Sequence, residues 1–171
     1  TFAFYRMLFE NREQSLFFIP PVAAVAYSVG FASVTLVLAT IIGLACAVFL
    51  SGPRTPVSSV LDPLFMLPLS TSAVTLGLGF IIALDEPPLN LRTSLALIPL
   101  AHALVAYPFV IRSVLPALRS IPKSLKESAS LLGASPVQVF LTVVMPIVSR
   151  ALIVGGVFAL TISIGEFGAT V

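Results

Sequence analysis

The sequence predicts an all-α, polytopic membrane helical bundle, and three observations predict it. Of 171 residues, 58% are hydrophobic and only 9% charged, with a mean hydropathy of +1.11. A water-soluble surface takes roughly 25% charged residues, so the outer face of this chain must meet lipid. Four stretches, at about 22–50, 63–84, 93–115 and 147–171, supply the apolar run of roughly 20 residues that a helix needs to cross the hydrocarbon core. Positive charge gathers in alternate connections, as the orientation rule for cytoplasmic loops requires.

Taken in order, residues 1–21 form an external leader with Arg6 and Arg12 set against Glu10 and Glu13, and residues 22–171 form the transmembrane domain. The first span carries no charge and is followed by Arg54. The second is also uncharged; Pro68 favours a kink in it, and Gly77 and Gly79 allow a neighbouring helix to approach. Asp85, Glu86 and Arg92 then face outward. The third span holds Pro99, His102 and Pro108. The following loop, 119–146, belongs to a basic stretch with Arg112, Arg119, Lys123, Lys126 and Arg150 against Glu127, and faces the cytoplasm. The fourth span contains Gly155 and Gly156, again suited to close helix contact, and Glu166 late in it. Because lipid offers no partner for backbone N–H and C=O groups, each span is expected to be helical. The chain starts at Thr1 without a charged region and cleavage site, and ends in an apolar run, so it reads as a piece of a longer polypeptide.

The same composition excludes several functions. The positive residues lie between apolar runs and not along one stripe, which argues against nucleic acid. A single cysteine, Cys46, forms no internal disulfide, and one histidine with one cysteine makes no zinc framework. No Gly-Lys-Ser or Gly-Lys-Thr occurs, so the chain itself is not expected to hydrolyse ATP. No cofactor or metal is called for, and no nucleophile–base pair stands out in the spans, which weighs against a membrane enzyme.

The cytoplasmic loop is the most specific part. Ser124 and Glu127 have the spacing of a capping box that starts a short helix, and Gly133 suits the left-handed position that ends it. Ser135, Pro136 and Gln138 give a second start, and Pro146 is expected to limit this second helix before the fourth span. Leu125, Ala129 and Leu132 share one face of the first helix. A basic two-helix protrusion with an apolar stripe suits either a lipid surface or a groove in a cytosolic partner.

The loop resembles the motif of permease subunits of binding-protein-dependent ABC importers, the MetI-like fold. That motif reads Glu-Ala-Ala, three residues, Gly, nine residues, Ile, one residue, Leu-Pro. Glu127, Ala129, Gly133 and Pro146 stand at the matching positions; Ser128, Val143 and Met145 depart mildly. Residues 98–112 are also similar to the helix that usually leads into the motif. The resemblance implies a multi-pass inner (plasma) membrane protein whose loop residues Glu127, Ser128, Ala129, Gly133, Ala134, Ser135, Pro136 and Pro146 couple it to a separate ABC ATPase subunit. It further implies an external (periplasmic or extracellular) solute-binding protein, and a second permease half that is identical or fused.

For the pathway, Glu166 flanked by Gly165 and Gly168 is a candidate gate, or else an interfacial carboxylate. Ser70, Thr71, Ser72 and Thr75 are candidate cavity hydroxyls, or else bond their own backbone. His102 is expected to be a packed, hydrogen-bonded interior residue. Residues 165–170, Gly-Glu-Phe-Gly-Ala-Thr, look like a stretch of the molybdate, tungstate and sulfate permeases, and also of fused iron(III) or thiamine permeases. Residues 66–79 look closer to the iron/thiamine group, which is therefore the expected class, with the oxyanion permeases as the alternative. An ion-coupled secondary transporter would need more ionisable residues in the spans and an internal repeat.

Overall fold

The computed structural model describes residues 21–84 and 94–166, and within them every regular element is helical. The elements are α1 (Pro21–Ser51), α2 (Pro56–Ser70), α3 (Ala73–Ala83), α4 (Leu97–Ser120), α5 (Lys123–Leu131), α6 (Pro136–Val139), a π turn (Phe140–Val144) and α7 (Met145–Gly165). Residues 1–20 of the expected leader 1–21, the acidic connection 85–93 and Gly168 lie outside the described residues, while Pro21 already begins α1.

Among the described residues, three helical stretches, Val22–Ser51, Leu97–Ser120 and Pro136–Gly165, are long and apolar enough to cross a membrane. The second expected span differs from a single straight helix: α2 and α3 meet at a bend of 108° and make a fourth crossing only if taken together. The causes are local. Thr55 and Ser58 cap each other reciprocally, Ser58 N–H donating to Thr55 Oγ1 at 3.1 Å and Thr55 N–H to Ser58 Oγ at 2.9 Å, with Pro56 in the first turn. This start lies upstream of the apolar run, so α2 begins before residue 63. At the other end Pro68 has no N–H to donate, and the hydroxyls of Ser70 and Thr71 both donate to Leu67 C=O, at 2.9 and 3.0 Å. Thr71 is then extended (φ −102°, ψ 140°) and the chain restarts at α3.

The core is α4 held between α1 and α7. Lipid tails are as apolar as leucine, so helices in a bilayer associate by close packing of small side chains and by interhelical hydrogen bonds. On α1 the buried positions are Ala32, Thr35, Ala39, Gly43, Ala47 and Leu50, spaced by three and four, while Val25, Val37 and Ile41 are exposed on other faces. The absence of a Cβ lets Gly43 and Gly155 close on Val110 of α4 from two sides: a Cβ on Gly155 would lie 3.0 Å from Val110 Cα. Gly156 is also tight, since a Cβ there would lie 3.0 Å from Leu36 Cδ1, whereas a Cβ on Gly79 would meet nothing within 4 Å, so Gly79 is not a packing position among the described residues. Phe109 and Phe158 stack with ring centres 6.2 Å apart. Pro99 lies in the first turn of α4, where its missing N–H has no helical acceptor to lose; Pro108 is fully buried farther along.

These contacts fix the direction of each helix. Arg119, at the end of α4, donates to Leu50 C=O at the end of α1 (3.2 Å), so the two run parallel. His102 early in α4 meets Ser163 late in α7 (2.8 Å), so α7 runs antiparallel to both. Because α1 and α4 end on the same side, the chain must return along the height of the bundle between them, and α2 and α3 lie within that stretch.

Candidate functional site

The loop after α4 is built of two helices joined by a tight turn. α5 starts at Pro122 without a side-chain cap. The expected Ser124–Glu127 capping box does not form, because α5 begins a residue before Ser124 and leaves it inside the first turn, where its hydroxyl has no cap geometry to adopt. The end of α5 follows the sequence more closely. Gly133 has φ +87°, Ala134 N–H reaches back to Ala129 C=O (3.2 Å) and Gly133 N–H to Ser130 C=O (3.0 Å). This pair of bonds is a Schellman turn, with glycine in the left-handed position. α6 then starts with the reciprocal cap of Ser135 and Gln138, Ser135 N–H donating to Gln138 Oε1 at 2.7 Å and Gln138 N–H to Ser135 Oγ at 3.4 Å, with Pro136 leading the helix.

Exposure separates the tip of this loop from its base. Leu131 and Leu132 are 88% and 89% exposed, so the apolar surface lies at the turn more than along the expected Leu125–Ala129–Leu132 stripe. Glu127 and Ser128 are exposed beside it and Ala129 is half-buried. At the base, Ile121, Val139 and Val144 are buried against the bundle. Pro146 does not end the second helix as expected. The chain stays helical from Pro136 to Gly165, because the π turn moves Met145 N–H onto Phe140 C=O and takes up the register that Pro146 interrupts.

Several clefts border the spans among the described residues. One, of about 400 Å³, is lined by Asp62, Pro63, Met66, Leu67, Ser70 and Arg112. Arg112, grouped by sequence with the loop charges, lies within α4. Ser70 and Thr71 spend their hydroxyl protons on Leu67 C=O, the backbone option of the two weighed for them. Ser72 and Thr75 are exposed, and Ser72 is the N-cap position of α3 without a side-chain bond.

Another cleft, of about 290 Å³, lies at the end of the bundle away from the loop and is lined among others by Ser28, His102, Ser163, Gly165 and Glu166. Glu166 terminates α7 (φ −81°, ψ 115°). Beside it, buried polar groups tie the three main helices together: His102 Nδ1 to Ser163 Oγ at 2.8 Å, Ser163 Oγ to Thr35 Oγ1 at 3.2 Å, and Thr35 Oγ1 to Pro99 C=O at 3.4 Å. His102 is indeed packed and hydrogen-bonded, 4% exposed. Thr35 and Ser163 were not singled out from sequence; the available signal was a hydroxyl at a buried position of each helix's three–four repeat. Among the described residues no three His, Cys, Asp or Glu side chains group to hold a metal.

Comparison with known proteins fits this arrangement. The family model described as "Binding-protein-dependent transport system inner membrane component" matches residues 39–170. The sulfate transport system permease protein CysT of Salmonella typhimurium is 34% identical over 141 residues, covering 77% of this chain and 51% of that protein. CysT of Escherichia coli is 32% identical over 163 residues, 88% of this chain and 59% of that protein. The molybdenum transport system permease protein ModB of Mycobacterium tuberculosis is 30% identical over 157 residues, 86% of this chain and 60% of that protein. The chain therefore spans between about half and three fifths of the length of these relatives. They favour the oxyanion alternative over the expected iron/thiamine class.

Proposed function

The chain belongs to the inner-membrane components of binding-protein-dependent transport systems, and from that premise we propose that it is the greater part of a permease that carries an oxyanion of the sulfate or molybdate class across the membrane, driven by a separate ATPase subunit. The observation that carries the coupling role is the two-helix turn itself. Leu131 and Leu132 are bare at its tip, Gly133 holds the turn in a left-handed conformation, and the base runs through the π turn into α7. Exposed leucines beside Glu127 and the basic residues Lys123 and Lys126 suit a groove with an apolar floor and a charged rim. Glu127, Ser128, Ala129, Ala134, Ser135 and Pro136 would meet the ATPase subunit around that anchor, and Pro146 marks where the helical register changes on the way to the membrane.

A solute-binding protein outside and a second permease half, identical or fused, complete the transporter in this reading. Support for the solute class is the similarity to sulfate and molybdenum permeases. Glu166 with Gly165 and Gly168, and the hydroxyls Ser70, Ser72 and Thr75, are the proposed gate and pathway positions.

The test is reconstitution of the full permease with its ATPase subunit in lipid vesicles. Leu131→Asp with Leu132→Asp is expected to reduce co-purification of the ATPase at least tenfold while leaving membrane insertion intact. Retained co-purification would remove the docking role. Uptake of radiolabelled sulfate or molybdate, without uptake of ferric iron or thiamine, is expected for the unaltered protein, and the reverse preference would reject the oxyanion assignment.

A further inference from the structure

A polar cleft of about 80 Å³ lies where α1 and α4 end and α2 begins, lined by Leu50, Arg54, Ser58, Ser59, Asp62 and Arg119. Helix length sets its level in the membrane. The stretch Val22–Ser51 has 30 residues, a rise of about 45 Å, against a hydrocarbon core of roughly 30 Å. Its ends therefore reach the head-group layers, and Arg54 and Arg119 stand beside the ends of α1 and α4. The hydroxyls bring no donors to this cleft, because Ser58 and Ser59 both donate to Thr55 C=O, at 2.9 and 3.1 Å. The guanidinium groups bring them. A guanidinium carries five N–H groups; Arg119 spends one on Leu50 C=O, and Arg54 makes no hydrogen bond among the described residues. Asp62 is the third charge and is half-buried. Among the described residues it forms no ion pair with Arg54 or Arg119, nor with Arg112 in the larger cleft on its other side.

We infer that this cleft binds the head group of a phospholipid that carries a primary ammonium, a phosphoethanolamine, with its phosphate on Arg54 and Arg119 and its ammonium on Asp62. Guanidinium groups hold phosphate oxygens through paired N–H donors, and basic pockets between spanning helices suit lipid phosphates. The carboxylate decides which head group fits. It repels a second negative charge, and it accepts hydrogen bonds without donating any, so its complement is a cation with protons to give. The ammonium of phosphoethanolamine is such a cation, tied to its phosphate by two carbons. A choline head has the positive charge but no N–H, and a glycerol head has hydroxyl donors but no positive charge. Fully ionised sulfate and molybdate bring only acceptors, so the cleft does not hold the transported solute. Its volume of about 80 Å³, against about 30 Å³ for one water in the liquid, takes a phosphate and leaves the acyl chains in the bilayer. Asp62 also lines the adjoining cleft of about 400 Å³, which gives the ammonium room on the far side of the phosphate.

The test is native mass spectrometry of the full permease in detergent, titrated in turn with phosphatidylethanolamine, phosphatidylcholine and phosphatidylglycerol of identical acyl chains. Phosphatidylethanolamine is expected to be retained at least fivefold more than either of the others. Arg54→Gln is expected to lower that retention at least fivefold; Arg54 holds no other helix, so the melting temperature should stay unchanged. Asp62→Asn is expected to abolish the preference and bring phosphatidylglycerol level with phosphatidylethanolamine. Arg150→Gln, an exposed arginine of α7 outside the cleft, is expected to change nothing. Equal retention of the ethanolamine and choline lipids overturns the site, as does a preference over phosphatidylglycerol that survives Asp62→Asn. Equal losses from Arg54→Gln and Arg150→Gln would reduce the effect to general attraction between basic residues and phosphate. Soluble phosphoethanolamine that displaces the lipid at equal concentration would mark the occupant as a free solute and overturn the lipid assignment. No readout here involves the ATPase subunit or the transported solute, so failure of this site and failure of the oxyanion importer reading give different results.

Discussion

A Cβ placed on Gly43 would lie 2.6 Å from the Cβ of Val110, closer than packed carbon atoms come. The two residues belong to α1 and α4, and this contact sets how near the helices lie. Gly43→Ala is expected to push α1 outward and destabilise the bundle by about 1–3 kcal/mol, as overpacking does. Val110→Ala removes the Cγ1 that would lie 2.8 Å away but keeps the Cβ at 2.6 Å, so the double variant should recover only part of the loss. Thermal unfolding of the four proteins in detergent checks this; additive effects of the two substitutions would contradict the contact.

Gly133 holds φ +87° with nothing within 4 Å of where a Cβ would stand, so backbone conformation and not space sets the cost of replacing it. Gly133→Ala is expected to weaken the turn by about 1–2 kcal/mol, and Gly133→Asn by less, since asparagine visits the left-handed region more readily. Uptake driven by ATP should rank Gly, Asn, Ala. Equal uptake in all three would show that the turn need not be held.

Ser135→Ala removes the oxygen that accepts from Gln138 N–H and so undoes half of a reciprocal cap. A loss of about 1 kcal/mol in local stability is expected. Hydrogen exchange at the Val137, Gln138 and Val139 amides should rise roughly fivefold, while amides of α4 stay protected.

Arg119→Gln is expected to weaken the tie to Leu50 C=O. A hydrogen bond from a charged group contributes about 1.5–3 kcal/mol, and exposure of Arg119 puts the effect at or below the low end. Arg119→Lys should lie between the two. A lower melting temperature for Gln than for Lys is the expected readout, and identical values would mean the bond contributes nothing to stability.

Much of the site was legible because its causes are local. Gly133 between two apolar residues and a Ser-Pro-x-Gln start specify a turn and a cap through neighbouring atoms alone, and the structure forms both. The Ser124–Glu127 box was not legible correctly, since a cap depends on the residue at which the helix begins, and α5 begins at Lys123. Likewise Pro146 reads as a stop unless the register change of the π turn is known.

By itself the sequence determined that this chain lives in lipid, because the number and length of its uncharged runs leave backbone groups no partner but each other. It also determined the turn at Gly133, whose bonds join residues a few positions apart. Only the tertiary structure decided that α4 is the central helix, that Gly43 is the contact glycine and Gly79 is not, that the second apolar run bends by 108°, and that Thr35, His102 and Ser163 form one polar chain. Those outcomes depend on which faces of distant helices meet, and in a bilayer, where every face is apolar, small steric fits and single hydroxyls make that choice.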